Sequence, residues 1–319
     1  MTQYRGLYPI TDPFDSGMLD VGEGHSLYWE RVGTKGAKPA VMLHGGPGGG
    51  ISPDHRGQWD PELYDVLLFD QRGCGKSLPF AEIEHNDTWR IVADMERLRE
   101  MCGFAKWQVF GGSWGATLAL AYAQTHPERV SELVLRGVFL ARQTEKDWLY
   151  QYGASEIMAE AWEDFISIIP EGERGDIVSA FHQRLTSDGE AARLEAARAW
   201  ALWEGNVATL LPKPALLEHY ADAATALPMA RIAARFFLDD FYLEEGQLLA
   251  NADKLEGIPG IIVQGRHDIC TPPTSAHALS KVWPEGELRI VHDAGHSASE
   301  PGIIDGLVRA TDEFAGKSA

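Results

Sequence analysis

The sequence predicts an α/β protein, a doubly wound and mostly parallel sheet into which a helical cap is inserted. Three observations carry this reading. From about Ser26 to Val138 short apolar runs alternate with helical patterns. From about Leu140 to Leu249 strand patterns give way to helix formers and aromatics. After residue 250 the strand and helix alternation resumes. A sheet interrupted and then continued implies an insertion between two core strands, so the expected boundaries are 1–139 for the first part of the core, 140–250 for the cap and 251–319 for the second part.

The elements follow in order. "SLYWERVG" alternates like a half-exposed strand, and "PAVMLHGG" and "YDVLLFDQRG" are short apolar runs that end in glycine. "NDTWRIVADMERLREMCG" reads as a helix, with Asn86 or Asp87 as N-cap and Gly103 as its stop. The run Trp107 to Phe110 ends a buried strand, Ala116 to Ala123 forms a helix, and "VSELVLRGV" is the next strand. "EIMAEAWEDFISII", "GEAARLEAARAWALWEG" and "LPMARIAARFFLDDFY" are the cap helices. "IPGIIVQG" and "ELRIVHDAG" restore the sheet, and "SEPGIIDGLVRATDEFAG" closes the chain as a helix.

Ser113 lies on the turn between strand and helix, fenced as Gly111-Gly112-Ser113-Trp114-Gly115. A chain that reverses this sharply has no room for a Cβ two residues before or after the serine. Such a turn lifts the Ser113 hydroxyl above the sheet edge and puts the Trp114 amide at a helix start, where developing negative charge is favoured. An ordinary glycine-rich turn fits the pentapeptide alone, so the partners must decide. A serine hydroxyl needs a base to take its proton and a carboxylate to hold that base in one tautomer. Asp268 in "VQGRHDICTPP" and His296 in "VHDAGHSASEP" each follow a late strand, at the same sheet edge and in the chain order serine, acid, histidine. His267, His292 and Asp293 compete by proximity, but His292 belongs to a strand end and Asp293 is too local to His296 to orient it. "VMLHGGPGGG" offers the second oxyanion amide, assigned to Gly46.

Other chemistries are disfavoured. "DQRGCGKS" ends like a phosphate-binding loop, but Asp70 stands where that motif requires glycine, so residues 70–77 read as a structural loop beside the site. Neither H-E-x-x-H nor another metal-ligand spacing is present, so no metal is expected. The 319 residues carry a net charge of −19, which argues against nucleic acid or an anionic membrane as partner. The three cysteines, Cys74, Cys102 and Cys270, show no paired spacing and read as reduced structural thiols. No basic start with an apolar run opens the sequence and no apolar stretch is long enough to span a bilayer, so a soluble cytoplasmic protein is expected. A serine at the turn, where aspartate would favour dehalogenation or epoxide opening, predicts hydrolysis of an ester or amide.

With these pieces assembled the chain resembles the proline iminopeptidases (prolyl aminopeptidases) of the α/β-hydrolase superfamily. "HGGPGGG", "DQRGCGKS", "GGSWGATLALAYAQTHPERV", "LVLRGVFLARQ", "AARAWALWEG", "VQGRHDICTPPTSA" and "AGHSASE" occur in family order over almost the whole chain. The resemblance implies a Ser113, Asp268 and His296 triad, an oxyanion hole of the Gly46 and Trp114 amides, no cofactor, and release of N-terminal proline from short peptides. It further implies that Glu204 helps hold the substrate ammonium. A second family glutamate is replaced by Ala233 in "RIAARFF", and Tyr152 stands where members commonly carry glutamate. Asp239, Asp240 and Glu244 are candidates to replace the lost charge. Trp203, Phe236, Phe237 and Phe241 either line an apolar pocket for a pyrrolidine ring or form the cap core. The alternatives are a relative acting on uncharged amides or esters, motivated by Ala233, and a non-catalytic ligand-binding protein of the same fold.

Overall fold

The computed structural model describes residues 4–316. Eight strands form one sheet in the order β1-β2-β4-β3-β5-β6-β7-β8. They are β1 (Asp15–Gly22), β2 (His25–Gly33), β3 (Lys38–Leu43), β4 (Tyr64–Phe69), β5 (Trp107–Gly112), β6 (Val130–Arg136), β7 (Gly260–Gly265) and β8 (Gly286–Val291). β2 runs antiparallel to β1 and β4, and every pairing from β4 to β8 is parallel. Residues alternate between two faces, as the pleat requires. Val41, Leu43, Val109 and Leu135 pack toward α1 (Thr88–Cys102) and α2 (Trp114–Thr125). Met42, Phe110, Val134 and Val263 pack on the other face, with Ile303 and Leu307 of the C-terminal helix.

The sequence signals for α1 act as chemistry predicts. Asp87 accepts from the Arg90 amide at 2.8 Å, and Gly103 ends the helix at φ 72°. Asn86 instead ties down the preceding loop, donating to the Arg72 carbonyl at 2.9 Å. One strand escaped the reading. In β1 only Val21 is buried, so its alternation is too weak to stand out, and its place comes from pairing with β2.

Between β6 and β7 the chain is helical: α3 (Gln143–Tyr150), α4 (Ala159–Ile166), α5 (Ile177–Leu185), α6 (Glu190–Val207), α7 (Pro214–Ala221), α8 (Ala223–Leu238) and α9 (Gln247–Ala250). Two further helices, α10 (Thr274–Val282) and α11 (Pro301–Phe314), flank β8 in sequence. Helix α8 starts earlier than the sequence suggested. Asp222 caps it through the Ala224 amide at 2.9 Å, which leaves Pro228 inside the helix. The Pro228 carbonyl lies against Gly48, whose φ of 101° and lack of Cβ permit that approach, so α8 leans directly on the loop after β3.

The loop after β4, residues 70–77, is anchored by a buried ion pair. The Arg72 guanidinium grips Asp94 of α1 at 2.6 and 3.0 Å. Burial outweighs the guanidinium at Asp94 and holds its carboxyl above the usual aspartate range. Such a pair adds little net stability, but breaking it leaves the buried guanidinium with only the partly exposed Glu23 carboxylate at 2.9 Å and the His85 carbonyl at 2.6 Å. Asp94→Ala should therefore lower unfolding free energy by about 3–5 kcal/mol. Urea denaturation checks this, and replacing Arg72 and Asp94 together by apolar residues should recover part of the loss.

Candidate active site

The turn at Ser113 has the geometry its glycines encode. Ser113 sits at φ 59° and ψ −125°, a strained conformation for a residue with a Cβ. A Cβ on Gly111 would overlap the Gly115 carbonyl, and one on Gly115 would overlap the Leu43 carbonyl of β3. The serine therefore leaves β5 and enters α2 in a single step, with the Trp114 amide at the head of the helix. The loop carrying Gly46 abuts this turn, since a Cβ on Gly45 would lie 3.5 Å from Ser113 Cβ and 3.2 Å from the Gly112 carbonyl. Gly46 itself adopts φ 119°, which a side chain would resist.

Asp268 and His296 come from the loops after β7 and β8 and meet at the same edge. His296 Nδ1 lies 2.8 Å from Asp268 Oδ2, and donates to it. The carboxylate is further held by the Thr271 amide at 2.8 Å, Thr271 Oγ1 at 3.0 Å and Gln264 Nε2 at 3.0 Å. With its proton on Nδ1, the imidazole offers Nε2 as an acceptor. No hydrogen bond joins it to Ser113 among the described residues. Instead Arg136 Nη1 donates to His296 Nε2 at 3.0 Å and to the His296 carbonyl at 2.9 Å. Arg136 ends β6, the neighbour of β5, and its side chain folds over Gly112. Burial pulls its guanidinium below the ordinary arginine value, although Asp268 nearby opposes this. The sequence reading missed Arg136 because its reach depends on strand order.

These groups open on a cavity of about 420 Å³. The core wall carries Gly46, Ser113, Arg136 and His296, and the cap wall carries Glu204, Leu149, Tyr220 and Phe237. Glu204 Oε1 accepts from Tyr150 Oη at 2.5 Å and Trp200 Nε1 at 2.7 Å. Burial pushes its carboxyl up to about 7, against the pull of those two donors. Beyond His296 the cavity runs between Ser297–Ser299, Ile304, Leu7, Gln58 and His55. Burial holds His55 down to about 3, so it is uncharged at neutral pH.

The four candidate substrate contacts divide. Glu204 and Phe237 line the cavity. Trp203 does not; its indole donates to the Leu149 carbonyl at 3.1 Å and its ring stacks on Phe165 at 5.5 Å, inside the cap. Phe236 packs edge-on against Trp114 at 5.0 Å. The proposed replacements for the lost glutamate are turned away from the cavity: Asp239 pairs with Arg235 at 2.6 Å, Asp240 pairs with Lys146, and Glu244 is absent from the lining. Ala233 is fully buried in α8. Cys270, expected to be structural, lines the cavity two residues beyond Asp268, with its thiol pushed up by burial. Its Sγ and ligand atoms of Asp268 and His296 lie within 4.8 Å of one another, but Asp268 is already bonded to His296 Nδ1.

This strand order, with a serine on the turn after β5, matches a known fold: the profile of the α/β-hydrolase fold covers residues 38–302. A proline iminopeptidase of Xylella fastidiosa strain Temecula1 is 51% identical over 97% of this chain and 99% of its own. The chain belongs to the proline iminopeptidase family, within the α/β-hydrolases. The Arabidopsis thaliana proline iminopeptidase is 50% identical over 97% of this chain and 82% of its own. Among solved structures, an esterase from Exiguobacterium antarcticum shares the fold at a TM-score of 0.67 and 19% identity, covering 94% of this chain and 99% of that one. Within the α/β-hydrolase frame, the cavity lies at the carboxyl edge of the parallel strands, where the late strand loops and the turn after β5 converge.

Proposed function

We propose that the chain is a serine aminopeptidase that releases an N-terminal proline from short peptides through an acyl-enzyme. The observation that carries this reading is a single cavity with Ser113 and His296 on one wall and the Glu204 carboxyl on the other. A charged N-terminus seated on Glu204 would leave the first peptide bond within reach of the serine. Residues 140–250 act as the cap that closes the site to folded proteins. Among the described residues no helix is long and apolar enough to cross a membrane.

In the reaction, His296 Nε2 takes the Ser113 proton as Oγ attacks the scissile carbonyl, while Asp268 fixes the tautomer and stabilises the imidazolium. This requires Nε2 to exchange Arg136 for Ser113, with Nδ1 kept on Asp268. The Gly46 and Trp114 amides face the oxyanion, with the start of α2 adding its partial positive charge. His296 then gives the proton to the leaving amine. A water activated by the same imidazole releases proline.

A second reading, hydrolysis of uncharged small amides or esters, is favoured by Ala233 and by the raised Glu204 carboxyl, which is partly neutral near pH 7. Comparing turnover of prolyl anilide with N-acetylprolyl anilide separates the two. Preference for the free amine supports the first reading, and indifference to acetylation supports the second.

A further inference from the structure

The loop of residues 70–77 donates no group to the chemistry above, yet its Gln71 touches both sides of the oxyanion hole. Gln71 is 1% exposed. Its Nε2 donates to the His44 carbonyl at 3.0 Å, and its Oε1 accepts from the Trp114 indole at 2.8 Å. Its backbone amide donates to His44 Nε2 at 3.0 Å. His44 opens the loop that carries Gly46, and Trp114 carries the other amide. β4 and β5 flank β3 on opposite sides, so Gln71 spans the end of β3 to join the two loops.

We propose that Gln71 is a positioning residue that fixes the spacing and orientation of the two oxyanion donors through its side-chain amide. The inference rests on reading the Gly46 and Trp114 amides as the hole. The bridge needs a donor at one end and an acceptor at the other, which a primary amide supplies and a carboxylate or thioether does not. Both ends are buried, where a lost partner is costly and a made bond is geometrically strict.

The bridge is braced at each end. His44 Nε2 accepts from the Gln71 amide at 3.0 Å, and its Nδ1 lies 3.1 Å from the Gly50 amide and 2.9 Å from the Gly45 carbonyl, so the ring is held on both edges. The Gly45 carbonyl receives the Gly49 amide at 3.2 Å, closing the turn around Gly46. Asp70 accepts from the Ile51 amide at 2.7 Å and the Lys76 amide at 2.8 Å, which ties the two loops together a second time. Arg72, next in sequence, is clamped by Asp94. The far end is loaded by the cap, where Phe236 and Phe241 press on the Trp114 ring at 5.0 and 5.6 Å. Without Gln71, cap packing alone would set that ring.

Both tetrahedral intermediates place an anionic oxygen in the hole, whereas bound substrate offers only a neutral carbonyl there and pyrrolidine, the ring and ammonium without the acyl group, offers no oxygen. Loss of the bridge therefore acts on kcat and spares KM. Gln71→Met keeps length and removes both bonds. It should lower kcat for prolyl anilide roughly ten- to a hundredfold, less than deletion of a donor itself. A boronic acid analogue of proline, whose adduct puts an oxygen in the hole, should bind more weakly by the same factor, with inhibition by pyrrolidine unchanged. Trp114→Phe removes the indole donor together with ring volume at a buried site, so it should show a loss of the same kind, and the two changes should be less than additive in the double variant. If Gln71→Met does not fold, Trp114→Phe decides by the same comparison. Unchanged kcat, or equal weakening of pyrrolidine and the boronic acid, overturns the proposal. A wild-type chain inert toward prolyl anilide overturns the functional reading instead.

Discussion

Ser113→Ala is expected to lower kcat/KM for prolyl anilide by about 10⁴- to 10⁶-fold, because removing the nucleophile of a coupled triad disables the set. The fold should survive the change. Alanine keeps the Cβ that already occupies the strained backbone at φ 59°, and the Ser113 hydroxyl has no hydrogen-bond partner among the described residues to lose. Calorimetry should find the melting temperature unchanged or slightly raised, as for a functional residue held at a cost in stability. His296→Ala should cost as much activity but is a less clean test, since it strips Arg136 Nη1 of the imidazole acceptor at 3.0 Å. Asp268→Asn should cost about 10⁴-fold by favouring the wrong tautomer. Double removal of Ser113 and His296 should be no worse than either alone. Turnover by Ser113→Ala at the wild-type rate would refute the assignment.

The parts of this site that were legible in the sequence are those set by local sterics. Gly111 and Gly115 are small because two carbonyls lie where their Cβ atoms would be, and that need shows in any strand-to-helix turn this sharp. Asp87 and Gly103 mark the ends of α1 for equally local reasons. The rest depends on neighbours that the sequence does not name. Arg136 reaches His296 only because β6 lies between β5, which leads to Ser113, and β7, which leads to Asp268. Phe236 and Phe237 are adjacent in sequence yet point about 100° apart on α8, one toward Trp114 and the other into the cavity. Helical periodicity marks both as apolar without telling which faces which. Gln71 is illegible for the same reason, being one polar residue in a loop until the sheet brings His44 and Trp114 to its two ends.

Glu204→Gln is expected to reduce kcat/KM for prolyl anilide by about 10²- to 10³-fold and to change the N-acetylated analogue less than tenfold, because it removes one charge of a desolvated pair and keeps the shape. Glutamine can still accept from Tyr150 and Trp200, so the cap wall is retained. The carboxyl is held at about 7, so below that pH the free enzyme presents a neutral acid and the preference for the free amine should shrink. Above it the carboxylate is ready for an ammonium. Stability carries the opposite sign. A carboxyl raised from 4.5 to about 7 by burial costs nothing below pH 4, and its penalty grows as pH rises to about 7 and stays beyond it. Glu204→Gln should thus be more stable than wild type above pH 7, by up to about 3 kcal/mol, and indistinguishable near pH 4. Ala233→Glu should strengthen free-amine preference, with a gain limited by the desolvation of a second carboxylate at a fully buried position. Measuring kcat/KM for both substrates in both variants decides the role. Equal losses on the two substrates for Glu204→Gln would mean that this carboxyl supports the cap wall through Tyr150 and Trp200 and does not read the amine.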